Sequence, residues 1–473
     1  MHFSRRQLLR LAGSSSASFF FAHALGGCAA DAAPAGPWWL EGNYAPIDGE
    51  SDAVDLAIEG ALPPELRGVF LRNGPNPITG ASFNWFFGDA MLHGLRLEGG
   101  HARWYRSRYI QTHALAARSS GGDATQALTG NYANTALVRH AGRTLALYEG
   151  GKPWELGLGD LSTVGEHDFG GMLSGAMGAH PKIDPATGEM WFIGYSPFPP
   201  FLTLHRVGAD GSYVAGRTIE IPGARMIHDF QLSAQHAIVF DLPIAFELDQ
   251  IEATGSPFAW RPELGARIGV LRRDAMADGE VRWFEVDPCY VFHSLNAYEL
   301  GGELIIEAAR HDALWADGPD DETSIPTLHR WALDLATGVA RESALDDMIF
   351  EFPRIDARRQ TAQARVAYGL RFGYQERADL PKRPDALVKY DLSRGSSELF
   401  ELGPAEQPDE AVFAAAGPGE DDGYVLTIAY DRARGDSSLV VFDASAITAG
   451  PIARVRLPHR VPFGFHGDWF EES

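Results

Sequence analysis

The sequence predicts an all-β protein, a seven-bladed β-propeller, and three observations predict it. Short apolar segments rich in β-favouring residues recur from Thr144 onward: TLALYEGG, EMWFIGYS, HAIVFDLP, ELIIEAAR, VAYGLRFG and YVLTIAYD. A second set interleaves with them, LTLHRVGADGS, IGVLRRDAMADG, LHRWALDLATG, LVKYDLSRG and LVVFDASAITAG, each a strand running into an Asp or Gly turn. The 52 glycines and 29 prolines are spread along the chain instead of pooled in linkers, which suits many short strands joined by turns. Two alternating strand types at intervals of roughly 40 to 70 residues, with no helical period between them, are what radial repetition of four-stranded sheets produces.

In chain order, residues 1–28 read as a targeting segment and stand outside the fold. Arg5 and Arg6 precede the largely apolar stretch Leu11 to Leu25, the arrangement of a twin-arginine export signal, and Leu25-Gly26-Gly27-Cys28 resembles a lipoprotein cleavage box. The expectation is an exported protein, periplasmic or held to a membrane by lipid on Cys28. The only other cysteine is Cys289, so a lipidated Cys28 leaves no disulfide and stability rests on packing. Residues 29–38 form a small-residue tether, and 39–473 a single propeller domain. LPPELRGVFLRNGPNP from Leu62 is a turn, a strand and a turn; the following FNWFFGDAMLHGLRLEGGHARWYRSRYIQT alternates and turns at Gly99 and Gly100 as a hairpin. Residues 111–135 lack a strand period and read as an excursion over one face. Acidic, Pro- and Gly-rich stretches at 310–326 and 403–422 read as loops; Asp317, Asp320, Asp321 and Glu322 lack the spacing of an EF-hand calcium loop. Such loop excursions are expected to cap the face that carries the site described next.

A net charge of −23 argues against a nucleic-acid partner, because that binding needs clustered Lys and Arg to displace counterions. It leaves the chemistry of a buried site open.

Three histidines share a phase. An apolar run begins at Ala237, nine residues after His228, at Met190, ten after His180, and at Leu304, eleven after His293. Equal phase in a radial repeat means equal position near the axis, so these rings should converge. His466, in the apolar VPFGFHGDWF near the chain end, is a fourth candidate, where a propeller supplies a closing strand. His93, His101, His113, His140, His167, His205, His236, His311, His329 and His459 lack the phase and read as turn, surface or satisfied core residues. Converging imidazoles suit Fe, Zn, Cu or Ni by donor type; four nitrogens in an octahedral shell leave two positions open. Ligating imidazoles usually give their second N–H to a carboxylate or carbonyl, and Glu149, Glu351 and Glu410 stand at the ends of apolar strands.

LRGVFLRNGPNP, WFFGDAMLHG, GAHPKIDPATGEM, MIHDF, FHSLNAYE, EFPRID, EDDGYVLTIAYD and FGFHGDW follow one another in the chain. In these ordered motifs the sequence resembles the carotenoid cleavage oxygenases, a family with apocarotenoid- and stilbene-cleaving members, over most of residues 40–473. The resemblance implies Fe(II) on the propeller axis held by His180, His228, His293 and His466, with Glu149, Glu351 and Glu410 behind three of them. It implies a dioxygenase that cleaves a carbon–carbon double bond of a carotenoid, apocarotenoid or similar conjugated alkene into two carbonyl products, with dioxygen and an apolar substrate as partners. Phe83, Trp85, Phe86, Phe87, Phe198 and Trp469 are candidates for the wall of a substrate tunnel.

The chain departs from the family pattern in two places that bear on substrate. Where the family reads WFDGDGM this chain has WFFGDAM, with Phe87 and Ala90 at the changed positions. Stilbene-cleaving relatives use a lysine near NYANTALV, whereas the first lysine here is Lys152, which favours a carotenoid-like alkene over a stilbene. A non-catalytic ligand-binding propeller lipoprotein would be expected to lack one of the four histidines, and a propeller hydrolase built on a hard cation would present Asp, Asn and Glu oxygens instead.

Overall fold

The computed structural model describes residues 37–472 except 83, 121–129, 251–255, 317–323 and 376–381. The signal and acidic-cluster expectations, Phe83, and the tether up to Gly36 lie outside the described residues; Pro37 and Trp38, given to the tether, lead into a 3-10 turn at Trp38–Leu40.

Among the described residues, seven antiparallel sheets of four or more strands stand around one axis as a seven-bladed propeller, and an eighth sheet is a two-stranded hairpin. The second to sixth blades are four-stranded meanders whose first strands are Ala136–His140, Lys182–Ile183, Phe230–Leu232, Tyr290–Leu300 and Phe350–Ile355. Burial falls from the axis outward. Phe230–Leu232 is buried throughout, whereas the outermost strands Thr163–Glu166 and Tyr213–Thr218 alternate between half-buried and exposed, as expected of an edge with one face in solvent.

Two closures seal the ring. Gly467–Glu471 pairs with Gly68–Pro75 and completes the first blade from the C-terminal end. Ile58–Gly60 pairs with Pro451–Arg456 and adds an N-terminal strand to the outer edge of the seventh. The first and seventh blades thus each combine strands from the N-terminal and C-terminal parts of the described chain, or take one such strand at their edge.

The two sets of segments seen in the sequence are the second and third strands of the blades. TLAL lies in Arg143–Leu147 and MWFIGY makes up Met190–Tyr195; LVKYD lies in Ala386–Asp391. The Asp turns that end the third strands have a local cause. Asp391 Oδ1 accepts the Ser393 N–H at 3.1 Å, and Asp210 Oδ1 that of Ser212 at 2.9 Å, the side-chain turn that Asp forms with the backbone two residues on.

Apolar side chains form a packed layer between each pair of neighbouring blades. Ile238, Ile268 and Phe284 of the fourth blade meet Leu304, Ile306 and Trp331 of the fifth, and Phe70, Leu95 and Tyr105 of the first meet Leu426, Leu439 and Val455 of the seventh. The seventh-to-first layer is thus built like the others, so the ring is held by packing and not only by hydrogen bonds at its seam. Cys289 is buried as a free thiol within the fourth-to-fifth layer.

Connections from first to second strands are tight at Ala141–Gly142 and Gly301–Gly302, and longest in the sixth blade, at 356–365. Those from second to third strands leave the opposite end and are long at 242–265, 312–325 and 372–385. The first of these carries its own hairpin, Ile244–Phe246 with Phe258–Trp260. The excursion expected at 111–135 contains a short helix, His113–Ser119, capped by Thr112, whose hydroxyl accepts from Leu115 N at 3.0 Å. No described helix is long and apolar enough to cross a membrane.

Candidate metal centre

The histidines stand at the axial ends of the innermost strands. His180 precedes Lys182–Ile183, His228 precedes Phe230–Leu232, His293 lies within Tyr290–Leu300 and His466 precedes the closing strand Gly467–Glu471. Their ligand nitrogens lie within 4.8 Å of one another. The Nε2 atoms face inward: His180 to His228 is 2.9 Å, His228 to His293 3.4 Å and His293 to His466 3.2 Å.

Each of three rings has a carboxylate behind it. Glu149 Oε1 meets His228 Nδ1 in close contact, Glu351 Oε2 lies 2.6 Å from His293 Nδ1, and Glu410 Oε1 lies 2.9 Å from His466 Nδ1. A carboxylate accepts only, so Nδ1 carries the proton and the Nε2 lone pair points at the centre. His180 has no carboxylate partner among the described residues.

Burial holds the His180 ring well below the usual imidazole range, and the facing imidazoles push the same way. Burial also takes His466 down to about 4, against the opposing influence of Glu410. His293 goes the other way, because the Glu351 carboxylate outweighs the burial that would lower it. Burial would raise Glu351, yet His293 and then His311 hold its carboxyl far below the usual range. Glu410 is lowered in the same sense, with Arg354 and His466 overcoming burial.

The carboxylates are themselves held. Glu351 accepts the Phe352 N–H at 2.7 Å and faces His311 Nε2 at 3.4 Å. Glu410 accepts the Gly467 N–H at 2.8 Å, and Arg354 Nε stands 3.4 Å away. Glu149 accepts from the Tyr195 hydroxyl. His311, which has no phase in the sequence, is therefore part of the surroundings of the centre; it belongs to a second strand, Glu303–His311, where the repeat gives no reason to look.

Two phenylalanines beside the centre also escaped the sequence reading. Phe292 sets its ring edge-on to His228 at 5.3 Å, and Phe352 stacks on His293 at 5.2 Å and lies 5.4 Å from His466. Neighbours on a regular strand point to opposite faces, but here Phe292 and His293 both turn toward the centre, as do Glu351 and Phe352. Pairing register shifts between Val291 and Ser294 and between Glu351 and Arg354. Such irregularities re-aim side chains. Phe352 also has φ 54°, a left-handed conformation that costs a bulky residue on the order of 1–3 kcal/mol.

The expected tunnel aromatics do not form one wall. Trp85 packs against the layer between the sixth and seventh blades, 4.6 Å from Phe465, and Phe86 stacks on Phe465 at 5.7 Å. Phe87 meets Tyr132 at 5.8 Å, and Tyr132 in turn meets Tyr148 at 5.5 Å, beside Glu149. Phe198 is exposed on the loop after Met190–Tyr195. Trp469 is directed away from the centre: it packs into the layer between the seventh and first blades, next to Gly68.

Four imidazoles converging through one type of nitrogen, with no partner for those nitrogens among the described residues but one another, fit a single bound metal ion. Fold and site together define a β-propeller whose axis carries four histidines able to hold one metal ion. The family profile described as retinal pigment epithelial membrane protein (RPE65) matches residues 44–471. A carotenoid cleavage oxygenase of Mycobacterium tuberculosis is 36% identical, the alignment covering 91% of this chain and 97% of that protein. The lignostilbene dioxygenase of Pseudomonas brassicacearum superposes with a TM-score of 0.84 at 30% identity, over 92% of this chain and 98% of that one. Cobalt-substituted Synechocystis apocarotenoid oxygenase superposes with a TM-score of 0.82 at 26% identity, over 92% and 98%. The chain belongs to the family of RPE65 and the carotenoid cleavage oxygenases, and it is an oxygenase-type enzyme.

Proposed function

We propose that the protein is an Fe(II)-dependent dioxygenase that splits one carbon–carbon double bond of an apolar conjugated alkene, a carotenoid or apocarotenoid, into two carbonyl products. The observation that carries this reading is the convergence of four Nε2 atoms, three of them on rings fixed from behind by carboxylates. His180, His228, His293 and His466 would hold the ion. Ferrous iron, when bound, supplies the dioxygen chemistry that side chains lack.

The chain's own residues prepare the site. Glu149, Glu351 and Glu410 fix tautomer and ring orientation at three histidines, which keeps Nε2 free of protons. Phe292 and Phe352 cover the rings with apolar surface and exclude water from their side of the centre. No side chain is needed as a nucleophile or general acid. The absence of any lysine before Lys152 favours a substrate without a phenolate to be met, over the stilbenes cleaved by the Pseudomonas relative. Export through the twin-arginine segment and a lipid on Cys28 would bring the enzyme to a membrane, where such a substrate partitions.

The test is to load purified protein with Fe(II) without oxygen, then add air and a panel of carotenoids, apocarotenoids and stilbenes. Oxygen uptake with two carbonyl products by mass analysis is expected from a polyene. Absence of iron binding together with no product from any of them overturns the reading. Cleavage of stilbenes alone reassigns the substrate.

A further inference from the structure

The three carboxylates behind the histidines are not anchored alike. Glu351 and Glu410 each accept a backbone N–H, from Phe352 and Gly467. Glu149 accepts none; among the described residues its contacts are His228 Nδ1 on Oε1 and the Tyr195 hydroxyl on Oε2. Its backbone lies past the end of Arg143–Leu147, in a turn followed by Gly150 and Gly151. No strand pairing holds it there. A carboxylate in such a turn is free to rotate about its side-chain bonds unless its second oxygen is held.

Tyr195 is suited to hold it. It is the last residue of Met190–Tyr195, paired with Leu202 in the third blade, so its ring starts from a fixed backbone. Burial, and next the Glu149 carboxylate, push its hydroxyl well above the usual phenol range, so it remains a donor. The line of contacts runs by hydrogen bond from Tyr195 in the third blade to Glu149, between the second and third strands of the second blade, and on by close contact to His228 at the start of the fourth.

We propose that Tyr195 is a positioning residue for the metal centre: its hydroxyl locks the Glu149 carboxylate, which in turn orients the His228 ring. The proposal rests on the metal-dependent reading above. Partners of this kind typically change metal affinity by about 10- to 100-fold when removed. Tyr195→Phe deletes one oxygen and leaves the ring to pack, so it separates the hydrogen bond from the bulk of the side chain.

The experiment compares wild type, Tyr195→Phe, Glu149→Gln and the double variant, using cobalt(II) as the probe. Co(II) dissociation constants are measured by chelator competition, with the visible ligand-field spectrum and the melting temperature of the metal-free protein. Tyr195→Phe is expected to weaken Co(II) binding about 10-fold and to change the spectrum, at an unchanged metal-free melting temperature. In the Glu149→Gln background the same substitution should add no further loss, because the pathway through the carboxylate is already cut. Wild-type affinity and spectrum in Tyr195→Phe, or an equal additional loss in the double variant, overturns the proposal. So does a drop in metal-free stability that accounts for the whole loss. Wild-type protein that takes up neither cobalt nor iron overturns the metal-dependent reading itself, and the role of Tyr195 falls with it.

Discussion

The two strands of one hairpin in the fifth blade show how the propeller divides its labour. Glu303–His311 pairs with Pro326–Asp334 at every position without a shift. Its other neighbour, the inner strand Tyr290–Leu300, breaks register twice within a few residues, and His293 sits in the first break. The sixth blade repeats the contrast, with Val366–Arg371 regular against Ala386–Asp391 and the inner strand broken beside Glu351. In these two blades the regular pairings carry the interblade packing and the breaks turn His293 and Glu351 toward the centre, whereas His180, His228 and His466 stand just before strands that pair without a shift. A strict alternation can present only every second side chain to the axis; the breaks let adjacent residues reach it together.

The sharpest test of that division is His293→Ala, which removes a ring from a break while leaving the packed layers intact. It should abolish metal retention in the purified protein while the metal-free form stays folded by circular dichroism. Retention of a full metal complement would detach the irregular strand from the chemistry. Next in size is Arg72→Met. Arg72 and Asp409 form a buried bidentate pair, Nε to Oδ2 and Nη2 to Oδ1 both at 2.6 Å, and breaking such a pair from one side costs about 3–5 kcal/mol. Denaturant unfolding of the metal-free protein measures it, and a loss under 1 kcal/mol would show that the charge is relieved by other means.

Gly369→Ala probes the join between the two kinds of strand. A Cβ there would stand 2.6 Å from Phe350 Cζ and 3.0 Å from the Glu351 carbonyl oxygen. Overpacking of this kind costs about 1–3 kcal/mol, and the push on Glu351 should also speed metal release to a chelator. Stability lost without faster release would mean that the inner strand does not transmit the strain.

For pH, the folded state lowers His466 to about 4 from an unfolded value of about 6.5. The unfolded chain therefore binds the proton more readily, and the stability tied to the neutral ring is complete above about pH 6.5 and is lost as pH falls toward 4. His466→Gln should flatten the stability profile of the metal-free protein in that window; an unchanged slope would exclude His466 as its source. At the small end, Val54→Ser on the exposed edge of the first blade, where the side chain is 71% exposed, should shift stability by no more than about 0.5 kcal/mol and leave metal binding alone.

Much of the blade architecture was legible because second and third strands obey simple rules. HAIVFDLP and ELIIEAAR are apolar runs bounded by turns, and both are second strands. First strands were poorly legible: Lys182–Ile183 spans two residues and Phe230–Leu232 three, too short to set a period. Their histidines were still found, because each stands at a near-constant distance before a legible second strand. His466 had no such second strand after it and needed the family resemblance. His311, Tyr195 and Phe352 were missed since their places depend on a neighbouring blade, a strand end and a break in register. Trp469 went astray for a related reason: its apolar neighbourhood in VPFGFHGDWF pointed to burial, but not to the side of the strand it occupies.

By itself the sequence determined the fold class, the three in-phase histidines and, with the family likeness, the fourth histidine and the three carboxylates that the fold brings together. Those follow from local pattern and repetition, which are written along the chain. Only the tertiary structure decided which oxygen holds which ring, how each carboxylate is anchored, and that Glu149 depends on a phenol from the next blade. Such contacts join residues far apart in sequence, and their geometry is set by strand breaks and blade packing, which leave no periodic trace in the residues themselves.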